Sequence, residues 1–88
     1  MVRARVRDIV TVRIGKRGIT DALLREIDRV LESRGIVKVK MLRNFREATG
    51  ADRFEVAKKV AEALNARLVE VRGFTFILKR SRGRGRGL

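Results

Sequence analysis

Apolar and polar residues alternate over residues 9–14, with Val10, Val12 and Ile14 on one side and Ile9, Thr11 and Arg13 on the other. Side chains of an extended chain point to opposite faces in turn, so this period predicts a first strand. The period then lengthens. Over residues 20–34, Leu23, Leu24, Ile27, Val30 and Leu31 recur at helical offsets and form one apolar stripe. Thr20 suits the N-cap, Asp21 the positive helix end, and Gly35 the left-handed residue that closes the helix. On the outer face, Asp21/Arg25, Arg25/Asp28 and Arg29/Glu32 stand at ion-pair spacing.

Alternation returns at 36–42, where Val37, Val39 and Met41 face one way and Lys38 and Lys40 the other, predicting strand two. Residues 43–51 break every period and are expected to form a loop, with Phe45 as its anchor into the core and Arg43 and Arg46 available to solvent or phosphate. Asp52 and Glu55 have the spacing of a capping box, and Val56, Ala57, Val60, Ala61 and Leu64 predict a second helix ending near Asn65. Glu55/Lys59 and Lys58/Glu62 are further candidate ion pairs on it. Residues 67–72 and 74–80 predict two more strands joined in a tight hairpin at Gly73. Val69 and Val71 are expected on one side of the first, and Phe74, Phe76 and Leu78 on one side of the second.

The resulting order is β-α-β-α-β-β, a two-layer α/β (α+β) domain. Its β-α-β unit makes parallel strands and its hairpin an antiparallel pair, so the sheet should be mixed and four-stranded with both helices on one face. The expected core face gathers Val10, Val12, Ile14, Val37, Val39, Met41, Val69, Val71, Phe76 and Leu78. The open face collects Arg13, Lys38, Lys40, Arg72 and Lys79, with Ile9, Ile77 and Leu68 between them. The four phenylalanines, Phe45, Phe54, Phe74 and Phe76, read as core or anchor residues. Outside residues 9–80, the run Val-Arg-Ala-Arg-Val-Arg at 2–7 fits a strand extension, a basic arm or a short helix, so 1–8 is set apart from the domain. The Arg-Gly run at 81–88 is too charged and glycine-rich to pack, and is expected to be a disordered tether.

Composition adds a partner to this picture. The 88 residues carry 23 Lys and Arg against 10 Asp and Glu, a net charge of +13. Such an imbalance repels itself unless an anionic partner, most often nucleic acid, belongs to the working state. A membrane surface would call for a basic amphipathic helix with aromatic anchors or a lipidation signal, and the sequence has neither. There is no membrane-length apolar run and no signal-peptide core after Arg3, Arg5 and Arg7. The absence of Cys fits an intracellular, cytoplasmic setting. With no His, Cys, Tyr or Trp and only two serines, catalytic residue types are scarce, and no carboxylate cluster suggests a metal. Neither an enzyme nor a cofactor is expected.

The candidate chemistry lies at Gly15-Lys16-Arg17-Gly18, between the first strand and the first helix. Glycine lets another molecule approach the backbone, and the following helix presents free N–H groups with a positive dipole end. Lys16 and Arg17 add formal charge there. This spacing is not the Gly-x-x-x-x-Gly-Lys-Ser/Thr of a nucleotide-binding loop, so a polymer backbone is the better ligand than a nucleotide. Arg13, Lys38 and Lys40 would extend that surface, although alternating lysines also protect exposed or edge strands from aggregation. Arg82, Arg84 and Arg86 of the tail can reach phosphates without fixed geometry.

The turn Ile14-Gly15-Lys16-Arg17-Gly18-Ile19-Thr20, the helix around Ile27-Asp28 and the strand Ile36-Val37-Lys38-Val39-Lys40 resemble the CRM domain, the chloroplast RNA splicing and ribosome maturation family. The resemblance continues through the Ala57 to Leu64 helix and the final hairpin. It implies a fold similar to the C-terminal domain of translation initiation factor three. It also implies RNA binding through a GxxG loop, here Gly15, Lys16, Arg17 and Gly18, much as in KH domains. Single-domain relatives associate with large-subunit ribosomal precursors, which makes ribosomal RNA the expected partner. The chain departs from the pattern at both ends, in its N-terminal arginine segment and its Arg-Gly tail. The competing expectation is a small chromatin-type protein that binds duplex DNA; a structural subunit of a larger complex is a third.

Overall fold

The computed structural model describes residues 9–80. The expectations for the N-terminal arm and for Arg82, Arg84 and Arg86 lie outside the described residues. Within 9–80 the order is β1 (Thr11–Ile14), α1 (Asp21–Arg34), β2 (Ile36–Met41), α2 (Arg43–Thr49), α3 (Arg53–Ala63), β3 (Arg67–Arg72) and β4 (Thr75–Lys79). The strands form one sheet in the order β1-β2-β4-β3, with β1 parallel to β2 and the other neighbours antiparallel. This is the expected mixed, four-stranded α+β sheet, with three helices in place of two.

The core grows from the predicted stripes. Ile14, Ile27, Leu31, Val37, Val39, Ala57, Val60, Phe76 and Leu78 are wholly buried, and Val12, Met41, Phe45, Val56 and Ala61 nearly so. Each such Val, Leu, Ile or Phe contributes about 1.5–3 kcal/mol of transfer free energy. Val10 is half-buried and lies outside this cluster. α1 starts as its sequence dictates, with the Thr20 Oγ1 accepting from the Leu23 N–H at 3.1 Å. Gly35 closes it at φ 80°, its N–H donating to the Leu31 carbonyl. α3 starts on Asp52, whose carboxylate accepts from the N–H groups of Phe54 and Glu55 at 3.1 and 3.2 Å. Asn65 follows at φ 54°, in the left-handed region.

Three expectations are corrected. The first is the loop at 43–51, most of which is the helix α2. It has no side-chain N-cap bond and buries Phe45 alone, so no stripe announces it. Local bonds hold it instead. The Thr49 hydroxyl donates to the Phe45 carbonyl and accepts from the Ala51 N–H, Gly50 closes the helix at φ 64°, and Arg43 pairs with Glu47 at 3.4 Å.

The second is the face assigned to β3. The register against β4 shifts between Leu68 and Glu70, so Leu68 lies opposite Leu78 and Val71 opposite Phe76. Both pack on the core, while Val69 is 49% exposed. An extra residue in one strand reverses which residues face inward, and a period-two reading cannot see it. β3 is an edge strand, where such a bulge also discourages pairing with another chain.

The third concerns the acids of α1. Among the described residues, the expected pairs along that helix and along α3 are not within ion-pair distance. Asp28 and Glu32 turn instead to Arg80, at 2.8 and 2.9 Å. Arg80 also donates to the Leu64 carbonyl, and its backbone N–H donates to the Gly35 carbonyl. One largely buried guanidinium thus joins the end of β4 to α1 and to the end of α3.

Candidate functional site

Residues 15–18 make a turn closed by the Gly18 N–H donating to the Gly15 carbonyl at 2.9 Å. Lys16 and Arg17 occupy its two central positions and are exposed. The two glycines differ in role. Gly18 has φ +76°, a conformation that L side chains rarely adopt. Gly15 has no positive φ, and a Cβ there would meet only the Leu42 Cδ1 at an ordinary 3.8 Å. The turn is seated on α2: the Leu42 N–H donates to the Ile14 carbonyl, and the Phe45 ring lies under Gly18.

The sheet places further cations beside it. The register sets Arg13 against Lys40, Lys40 against Thr75, and Thr75 against Arg72, so three cations cross the sheet in one row at the end where β1 runs into the turn. Arg13 and Lys40 are exposed, and no carboxylate among the described residues lies within 4.0 Å of either. Arg72 is paired with Glu70 at 3.3 Å. Like charges directly opposite each other oppose folding, so this row is not explained by stability. Nor are the β2 lysines an edge guard, because β2 is an interior strand with β1 and β4 on either side. Lys38 lies one row further from the turn. It is half-buried at a shallow depression of about 360 Å³ lined also by Ile9, Glu70, Arg72, Thr75 and Ile77. The structure therefore gathers Arg13, Lys16, Arg17 and Lys40 at one sheet end and sets Lys38 apart.

A second group at the same end was not legible in the sequence. Phe54 and Phe74, expected as core or anchor residues, are 48% and 42% exposed. Phe74 sits in the two-residue hairpin turn after β3, and its carbonyl accepts from the Met41 N–H at 2.8 Å. The Arg46 guanidinium lies 3.8 Å from the centre of the Phe74 ring, and that of Arg53 lies 5.0 Å from Phe54 and 5.7 Å from Phe74. Arg46 carried a weak signal as a cation in a supposed loop; Arg53 carried none.

Among the described residues no helix is long and apolar enough to cross a membrane, and no group of His, Cys, Asp or Glu is arranged to hold a metal ion. The fold and the site together define a small two-layer α+β domain that concentrates exposed cations, a glycine turn and exposed aromatics at one end of its sheet. Residues 2–80 match the CRS1 / YhbY (CRM) domain, and the chain belongs to that family. It is 36% identical over 85 residues to "Probable RNA-binding protein MJ0652" of Methanocaldococcus jannaschii, covering 93% of this chain and 60% of that protein. It is 32% identical over 65 residues to "Probable RNA-binding protein YqeI" of Bacillus subtilis, covering 74% of this chain and 64% of that protein. The chain thus matches somewhat under two thirds of the length of each of these relatives. Among solved structures, the solution structure of the hypothetical protein SAV1595 from Staphylococcus aureus superposes with a TM-score of 0.65 at 32% identity, over 85% of this chain and 74% of that one.

Proposed function

We propose that this protein binds structured RNA, ribosomal RNA during large-subunit assembly in the cytoplasm, and that it acts by binding rather than by catalysis. The observation that carries the reading is the exposed Lys16-Arg17 pair at the apex of the 15–18 turn, flanked by the register partners Arg13 and Lys40. A phosphate backbone supplies closely spaced negative charge that such a row can neutralise, and glycine on both sides lets it approach the main chain. The turn works as the GxxG loop does in the family resemblance. Lys38 and the basic segments at 1–8 and 81–88, with Arg82, Arg84 and Arg86, widen the footprint. The names of the two relatives support RNA as the partner.

Lys16→Asp/Arg17→Asp tests the reading. The turn is closed by backbone groups, so the double variant should keep its thermal stability while its affinity for structured RNA falls strongly. Unaltered affinity would sink the role of the turn. Competition at moderate salt between a structured RNA and duplex DNA addresses the partner, and preference for the DNA would replace RNA with a chromatin-type function.

A further inference from the structure

Arginine at the start of a helix opposes the positive end of the helix dipole, and Arg53 is the first residue of α3. The Nε atoms of Arg46 and Arg53 are both buried without a hydrogen-bond partner among the described residues. Stability alone would select against a desolvated donor left unsatisfied. It would equally select against the nearly half-exposed rings of Phe54 and Phe74. What the four residues that carry these costs have in common is their geometry. The guanidinium of Arg46 lies over the Phe74 ring, and that of Arg53 is within 5.7 Å of the centres of both rings. Rules of local stability broken together at one place mark a functional surface.

The surface has a fixed relation to the 15–18 turn. Gly18 rests over Phe45, the neighbour of Arg46 on α2, and Phe74 bonds through its carbonyl to Met41, the register partner of Ile14. The turn after β1 and the turn before β4 therefore open at the same end of the sheet, two strand spacings or about 10 Å apart.

We propose that Phe54 and Phe74, with the guanidinium planes of Arg46 and Arg53, form a stacking platform for an unpaired nucleobase of the RNA whose phosphates the 15–18 turn holds. The proposal rests on the RNA reading given above and adds the class of RNA: a strand with at least one base free of pairing, as in a loop or bulge. Aromatic rings and guanidinium planes both stack on base faces, and the arginine charge strengthens the contact. A duplex offers no free face, so it engages the cations but not the platform. Stacking of this kind tolerates any base, which makes the platform a reader of unpaired structure rather than of sequence.

Two RNAs separate the cases: a hairpin with 2-aminopurine in its single-stranded loop and a fully paired duplex of similar length. Wild-type full-length chain should quench 2-aminopurine on binding. Phe54→Leu/Phe74→Leu, which keeps apolar cover and removes the rings, should lose that quenching and weaken hairpin binding by about 5- to 150-fold. Duplex affinity and the salt dependence should not change, because no phosphate contact is removed. Phe74→Trp should retain the quenching. Equal affinity of the double variant for the hairpin, or an equal loss on both RNAs, overturns the platform. So does a Phe74→Trp variant that behaves like the leucine variant. Lys16→Asp/Arg17→Asp keeps the two readings distinguishable. Normal binding by that variant, together with hairpin-selective loss in the phenylalanine variant, removes the turn's role and leaves the platform standing.

Discussion

Arg80 is the residue whose removal should be felt most for its position. It directly follows β4, at the last position of the strand predicted over residues 74–80. Its side chain is only 17% exposed and engages Asp28, Glu32 and the Leu64 carbonyl at once. The carboxylates are 47% and 69% exposed, so solvent screens them, and the two ion pairs together are worth about 1 kcal/mol. A charged donor to the Leu64 carbonyl adds about 1.5 kcal/mol, the low end for such bonds because the site is partly open. Arg80→Ala should therefore cost about 2–3 kcal/mol, against roughly 4–11 kcal/mol for an ordered domain of this size. Arg80→Lys keeps one charge but cannot span three partners, and should lose about half as much. Urea unfolding followed by circular dichroism reads both, with a lowered midpoint and an unchanged slope. A loss below about 0.5 kcal/mol for the alanine variant would refute the reasoning, since the network would then form without contributing.

The same unfolding assay checks three further expectations. Gly18→Ala should cost about 1–2 kcal/mol because alanine must adopt the left-handed region at φ +76°, while Gly15→Ala should stay within about 0.5 kcal/mol. Leu68→Ala should cost about 1–3 kcal/mol and Val69→Thr almost nothing, the reverse of what uninterrupted alternation along β3 would give. Asp52→Ala removes the acceptor for two N–H groups at the start of α3 and should cost about 1 kcal/mol.

Where the chain obeys one period, the pattern foretold the structure. The Leu23 to Leu31 stripe, the Val37-Val39-Met41 face, the Thr20 and Asp52 caps and the Gly35 stop are all local signals that the packing confirms. The expectations failed where tertiary contact overrides local pattern. α2 has a single buried residue and no capping side chain, so nothing but Phe45 hinted at it. The bulge in β3 moved Val69 outward with no glycine to mark it. Asp28 and Glu32 sit at the spacing for helical pairs, yet a partly buried arginine forty-eight residues from Glu32 outcompetes those exposed neighbours. The candidate site divides in the same way. The 15–18 turn could be found because glycine and cation are contiguous in sequence. The Arg46, Arg53, Phe54 and Phe74 group could not, because it assembles from two helices and a hairpin turn and its aromatics look like core residues in one dimension.

The central claim, that Lys16 and Arg17 hold RNA phosphates, is tested most directly by the salt dependence of binding. Plots of log affinity against log salt concentration for wild type and Lys16→Ala/Arg17→Ala on one structured RNA should differ in slope as well as height. Two lost phosphate contacts should make the variant's slope shallower by about 1.4–1.8, at about 0.7–0.9 per phosphate. Lines of equal slope would contradict the claim, because the cations at the turn would then displace no counterions from the RNA.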